Sequence, residues 1–351
     1  MTAMKIVSFL SCLLLSATAV YAENDAQLAD TLDDNRVTII ISDERPDLPP
    51  ADAVIPEPLA KGDLIAIVAP SGHAEHYNYG AIAAVLDSLG FRTTLGQHVG
   101  CRQGSYAGTE EERREDLQDA LLDPEVKAVI CARGGYGAVH LLDSLSRLPL
   151  RDNAKWLVGF SDISALHALL LSKGIASIHG PMGSSLHYGR DGDLSPSCKA
   201  LFGLLEGSHV RYEIDAHRFN RNGSATAQLV GGNLAVLEGL AATPFDEFRP
   251  GTILFIEDVS EPVYKIQRQL YRLKLSGILG SLSGLIVGRF SDMKTDEDFS
   301  DTEVMIRDMV AEYGYPVAFG VPAGHVRVNI PFIIGAPVQM TVTDDGTTLT
   351  Q

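Results

Sequence analysis

Along most of the chain, short apolar runs alternate with segments whose apolar side chains recur every three or four residues. Leu64 to Val68 is a buried-strand run that ends in Ala69-Pro70-Ser71-Gly72. A helical pattern follows through Ala81 to Leu89 and stops at Gly90, and Phe91 to Leu95 is the next strand. Thr109 with Glu112 three residues on is a capping box, and Leu117, Ala120 and Leu121 mark one face of the helix it opens. Val126 to Ala132 predicts a strand running into Arg133-Gly134-Gly135-Tyr136-Gly137, and a helix starts at Ala138. Trp156 to Phe160 predicts another strand, with Ser161 at its end. Asp162 to Lys173 reads as a helix, with Gly174 at the position just past its end. Strands alternating with helices imply a parallel sheet covered on both faces.

The pattern then changes. Residues 183 to about 225 are polar and irregular and read as a linker. A second unit starts at Leu229-Val230-Gly231-Gly232-Asn233. It holds the strand Thr252 to Ile256, then an amphipathic helix after Pro262 with Val263, Ile266, Leu270 and Leu273 on one side. Leu285 to Val287 is a further strand, and the chain ends in a hairpin turning at Asp345-Gly346. The expected fold is α/β, an N-terminal parallel-sheet (Rossmann-like) domain over 58–182 and a smaller C-terminal α/β domain over 226–351.

The N-terminus follows neither pattern. Lys5, the apolar run from about Ile6 to Val20, and Val20-Tyr21-Ala22 before Glu23 fit a secretory signal peptide over 1–22. The run falls short of the about 20 apolar residues a membrane span needs, so no stable membrane insertion is expected after cleavage. Residues 23–57 are acidic, then proline-rich, and read as an extension with one short strand at Val37 to Ile41. This predicts an exported, periplasmic protein. The formal charge of −17 repels phosphate backbones, which argues against nucleic acid as a partner. Removing the signal segment with Cys12 leaves Cys101, Cys131 and Cys198, too few for a disulfide scaffold. No C-x-x-C pair suggests a structural zinc site, and neither metal nor cofactor is expected.

Candidate chemistry lies where strands end. In Gly159-Phe160-Ser161-Asp162 an apolar strand delivers a serine into a helix N-terminus, where open α/β sheets place their ligands. Helix-start N–H groups can stabilise an oxyanion. Ile163 stands where a nucleophile elbow has its second glycine, and the serine could equally cap the helix. The 133–137 glycine loop is either a wall of the site contributing an N–H or an ordinary tight turn. Glu257-Asp258 closes its strand with carboxylates that could orient a histidine or cap a turn. His325 sits on a loop in Pro322-Ala323-Gly324-His325, and His179 is its rival as a base. His73 and His76 form a loose H-x-x-H without metalloprotease spacing, whereas His140 and His167 fall within helices as packing residues.

Five motifs occur in one order: Arg-Gly-Gly-Tyr-Gly, Gly-Phe-Ser-Asp-Ile, Gly-Gly-Asn-Leu, Leu-Phe-Ile-Glu-Asp-Val and Pro-Ala-Gly-His. Together they resemble the LD-carboxypeptidase family of serine peptidases (muramoyltetrapeptide carboxypeptidases), from about residue 58 to the C-terminus. The resemblance implies a triad of Ser161, His325 and Glu257 at the interface of two domains. It also implies a homodimer and removal of the terminal D-alanine from a murein tetrapeptide. On this reading the N–H groups of Gly135 and Asp162 receive the oxyanion, and Tyr136 and Asn233 line the substrate pocket. Arg133, Arg289 and Arg327 are candidates for the terminal carboxylate. The signal segment and the 23–57 extension depart from the family pattern and favour trimming of the wall over recycling of fragments. Two alternatives stand: a self-immunity peptidase acting on a peptide-nucleotide antibiotic, and a muropeptide-binding protein that cleaves nothing.

Overall fold

The computed structural model describes residues 37–73, 79–186, 188, 192–295, 297–298 and 301–351. The expected signal segment lies outside them, as does His76. In chain order the strands are β1 (Val37–Ser42), β2 (Leu64–Val68), β3 (Arg92–Leu95), β4 (Val126–Cys131), β5 (Trp156–Gly159), β6 (Ser177–His179) and β7 (His209–Asp215). They continue as β8 (Gly223–Asn233), β9 (Ile253–Val259), β10 (Gly284–Ser291), β11 (Val317–Ala318), β12 (Phe332–Ile334), β13 (Pro337–Thr343) and β14 (Gly346–Thr350). The helices are α1 (Tyr79–Ser88), α2 (Glu110–Leu122), α3 (Leu142–Leu145), α4 (Ser164–Ser172), α5 (Pro196–Leu205), α6 (Leu234–Glu238), α7 (Val263–Leu275) and α8 (Thr302–Met309).

The apolar runs are strands because both of their faces are covered. β2, β4 and β5 are buried along almost their whole length, as central strands of a parallel sheet must be. They belong to a six-stranded sheet of order β12-β6-β5-β4-β2-β3, in which β2 to β6 run parallel. The chain steps to β3 on one side of β2 and returns to β4 on the other. That reversal opens a crevice beyond the carboxyl ends of β2 and β4. Thr109 and Glu112 form the expected capping box at the start of α2.

The second sheet has eight strands in the order β1-β7-β14-β13-β8-β9-β10-β11. β8 to β11 are parallel, and the β1 to β8 side is antiparallel. α7 buries Val263, Ile266, Leu270 and Leu273, the predicted stripe. Aromatic side chains lock the two sheets together: Phe332 of β12 lies 5.2 Å from Phe255 and 5.7 Å from Tyr212 between ring centroids. Burying each such ring contributes roughly 1.5–3 kcal/mol.

Three expectations need correction. Residues 183–225 are no linker: they contain α5, with Cys198, Ala200, Leu201, Phe202, Leu204 and Leu205 buried, and β7 inside the second sheet. Polar ends hid a short apolar centre. β12, expected within the C-terminal domain, pairs antiparallel with β6 and completes the first sheet. The final hairpin turns at Asp344-Asp345, since Thr343 pairs with Gly346. The short strand in the extension is present as β1, paired with β7. Among the described residues no helix is long and apolar enough to cross a membrane, and Cys101, Cys131 and Cys198 are free thiols.

Candidate active site

β5 ends at Gly159, and the chain turns abruptly. Ser161 has φ 65°, in the left-handed region that costs a non-glycine residue about 1–2 kcal/mol. The turn aims its side chain out of the sheet edge and into a helical run, a 3₁₀ turn over Ser161–Ile163 leading into α4. Ile163 packs where a Cβ on Gly159 would stand, 2.9 Å from two of its side-chain carbons, so the first glycine of the turn is required. Ser161 caps nothing here.

Its hydroxyl instead lies 2.9 Å from His325 Nε2, and His325 Nδ1 lies 2.8 Å from Glu257 Oε2. A carboxylate can only accept, so Nδ1 carries the proton and Nε2 is left to accept from the serine. Glu257 is fully buried on β9. Gly324, at φ +109°, packs on it so closely that an added Cβ would fall 2.5 Å from Oε2. The Gly324 N–H donates to Asn329 Oδ1 (2.8 Å), and Ser291 Oγ donates to the His325 carbonyl (2.8 Å). Phe160 meets the imidazole edge-on at 5.0 Å. Burial disfavours the His325 cation, but the hydrogen bond and charge of Glu257 outweigh it and hold the imidazole pKa above 6.5. The line runs from one sheet to the other: serine after β5, glutamate on β9, histidine after β11.

Gly134 and Gly135 flank this line. A Cβ on Gly134 would lie 2.9 Å from Ser161 Cβ. Among the described residues, neither the Gly135 nor the Asp162 N–H meets an acceptor. The Asp162 carboxylate is buried and accepts from Ser71 Oγ (2.6 Å) and the Ala138 N–H (2.9 Å). Tyr136 is 57% exposed and packs against Tyr106 and His140. Asn233 is 4% exposed, and its amide is engaged by the fold: the oxygen caps α6 through the Val236 N–H, and the nitrogen donates to Asp258. Burial and the neighbouring Glu257 push the Asp258 carboxyl up to about 6. Arg133 donates from Nη1 to the His73 carbonyl at 2.8 Å.

The rival histidine is excluded by its surroundings. His179 is fully buried beside Phe160, His167 and Phe255, with no hydrogen-bond partner for either ring nitrogen among the described residues. Burial, with the nearby His167 and His325 adding to it, holds its pKa well below 6.5. His167 bonds to Ser177 and to the Gly159 carbonyl and packs, as expected. Sequence reasoning missed Asn329, Ser291, Ser71 and Arg113, which act through loop backbone and leave no spacing signal. Among the described residues, no group of three or more His, Cys, Asp or Glu is placed to hold a metal ion.

Comparison with known proteins agrees with this architecture. Murein tetrapeptide carboxypeptidase of Pseudomonas aeruginosa is 32% identical over 272 residues, 76% of this chain and 89% of that protein. The crystal structure of muramoyltetrapeptide carboxypeptidase from Oxalobacter formigenes superposes with TM-score 0.73 at 29% identity, covering 82% of this chain and 98% of that one. The microcin C7 self-immunity protein MccF shares the fold, with TM-score 0.70 at 19% identity, covering 85% and 98%. Residues 65–180 match the LD-carboxypeptidase N-terminal domain and residues 226–340 its C-terminal domain, so the chain belongs to the LD-carboxypeptidase family of serine peptidases.

Proposed function

We propose that this hydrolase removes the terminal D-alanine from murein tetrapeptides, with Ser161 as nucleophile, His325 as base and Glu257 as its orienting partner. The observation that carries the reading is the continuous hydrogen-bonded line from Ser161 Oγ through His325 to a buried Glu257. Ser161 Oγ attacks the carbonyl before D-alanine while its proton passes to His325 Nε2. The carbonyl oxygen gains the charge, and the N–H groups of Asp162 and Gly135 take it. His325 then returns the proton to the departing amine, the C–N bond breaks, and D-alanine leaves. Water, deprotonated by the same imidazole, cleaves the acyl-enzyme ester and restores the serine.

Family relatives named for murein tetrapeptides support the substrate class. The apolar segment at the N-terminus supports export, and the family habit supports a homodimer; both belong to this proposal. The test is D-alanine release from a disaccharide tetrapeptide, followed by mass spectrometry beside a pentapeptide and an aminoacyl-sulfamoyl nucleoside. Release from the tetrapeptide alone is expected. Cleavage of the nucleoside instead would move the chain to antibiotic inactivation, and tight binding without cleavage would make it a muropeptide receptor.

A further inference from the structure

Two loops close on Ser161 at the carboxyl edge of the first sheet, residues 69–73 after β2 and residues 132–138 after β4. They meet backbone to backbone. The Gly72 N–H donates to the Gly134 carbonyl at 3.1 Å. A Cβ on Gly72 would lie 3.0 Å from that carbonyl oxygen, and one on Gly135 would lie 2.8 Å from Gly72 Cα. A trans peptide points its C=O and N–H in opposite directions. With the Gly134 carbonyl turned towards Gly72, the Gly135 N–H is turned away from it. The setting of one peptide plane therefore decides whether that N–H is available to an oxyanion.

Two buried charges grip the same junction. Asp162, 3% exposed, takes Ser71 Oγ (2.6 Å) from the first loop and the Ala138 N–H (2.9 Å) from the second, both on Oδ2. Arg113, 2% exposed on α2, donates through Nη1 to the Pro70 carbonyl (2.7 Å) of the first loop and the Gly137 carbonyl (2.8 Å) of the second. The anion collects donors and the cation serves acceptors, and each touches both loops. Gly137, at φ +125°, makes room: its added Cβ would lie 2.8 Å from Arg113 Nη1. Neither charge lies on the proton path from Ser161 to Glu257. Burying two charges is costly unless their hydrogen bonds are well met. The Asp162 bonds go to loop backbone and one loop hydroxyl, and the two Arg113 Nη1 bonds go to loop carbonyls, while its Nη2 lies 3.4 Å from His140 Nδ1 and its guanidinium stacks over Tyr106.

We propose that Asp162 and Arg113 are positioning residues, a two-sided clamp that fixes both loops against the nucleophile turn so that the Gly135 N–H is set for the oxyanion before substrate arrives. This rests on the serine-peptidase reading above. The charges act through backbone direction and leave substrate affinity nearly untouched.

The experiment uses the full chain and the variants Asp162→Ala, Asp162→Asn, Arg113→Met and Arg113→Lys. A fluorophosphonate, which phosphonylates an activated serine, titrates the sites and gives a labelling rate. D-alanine release gives kcat and KM per titrated site. Asp162→Ala and Arg113→Met are expected to titrate fully, with kcat lowered about a hundredfold, as for loss of an oxyanion donor. KM should stay within about threefold, and labelling should slow in parallel. Asp162→Asn should recover most of the rate, since an amide oxygen can hold both Oδ2 bonds. Arg113→Lys should not, since an ammonium lacks the planar fork. A merely structural role gives fewer titratable sites with an unchanged rate per site, and that result overturns the clamp. If Asp162→Ala fails to fold, Ser71→Ala is expected to lose about tenfold in rate, and an unchanged rate overturns the clamp equally. Wild-type protein that is phosphonylated at Ser161 yet releases no D-alanine would sink the substrate reading alone, and labelling rates would then judge the clamp.

Discussion

The two halves of the site are held in different ways. Next to the nucleophile the work is done by backbone: Ser161 sits at φ 65°, and Gly72, Gly134 and Gly135 pack main chain against main chain. On the base side it is done by side chains. Glu257 extends from a regular strand, and His325 is caught between Glu257 Oε2, Phe160 and the Ser291 hydroxyl. A nucleophile must be aimed, and a turn sets aim. A base must be kept in one tautomer, and that needs a buried acceptor. Strain is therefore stored at the serine turn, with Asp162 and Arg113 bracing the loops behind it, while on the base side a buried charge touches the imidazole directly.

Each half can be attacked separately. Ser161→Ala is expected to lower D-alanine release about a millionfold, and Ser161→Gly to abolish it while raising stability by about 1 kcal/mol, because glycine accepts the left-handed turn. Thermal melting beside the activity assay checks the pair, and a Ser161→Gly protein less stable than wild type would contradict stored strain. Glu257→Gln is expected to cost about ten-thousandfold in kcat, since the amide favours the wrong tautomer. Gly134→Ala would place a methyl 2.9 Å from Ser161 Cβ. It is expected to cut kcat about a hundredfold through the displaced loop.

The smallest effect is a shift in pH dependence. Because Glu257 holds the His325 pKa above 6.5, kcat/KM should rise with pH through a value higher than 6.5 as the imidazole becomes neutral. Stability has the opposite sign. A raised folded pKa means the His325–Glu257 pair stabilises fully below pH 6.5, and that contribution is lost as pH climbs through the folded value. An activity limb at or below 6.5 would show that the buried carboxylate does not govern the base.

The pattern along the chain displayed the parts that are locally periodic. β2, β4 and the α7 stripe follow directly from runs and spacing, as does the Thr109–Glu112 cap. α5 was hidden although its signals were present: Ser195 caps it and Pro196 opens it, but glycine and charged neighbours made the region look irregular. β12 was illegible for another reason. Nothing in Phe332-Ile333-Ile334 says which sheet it joins, because topology decides that. Ser161, Glu257 and His325 were legible as an ordered set of motifs, not through spacing, since their three segments meet only after two sheets assemble. Arg113 lies in Glu-Glu-Glu-Arg-Arg-Glu-Asp, a run that reads as solvated surface, yet it is buried.

β12 sets the order in which the molecule can be finished. The sheet that carries the serine acquires its last strand from residues 332–334, paired to residues 177–179. Gln351 then fastens that strand, its side chain both donating to and accepting from the backbone of Ile333. As the ribosome works from the N-terminus, β6 waits with an unpaired edge until residues 332–334 have been made. Pairings that distant close slowly, and open edges invite wrong partners in the meantime. The serine half is thus begun early and sealed late, which ties the quality of the nucleophile's own sheet to residues made more than a domain's length after it.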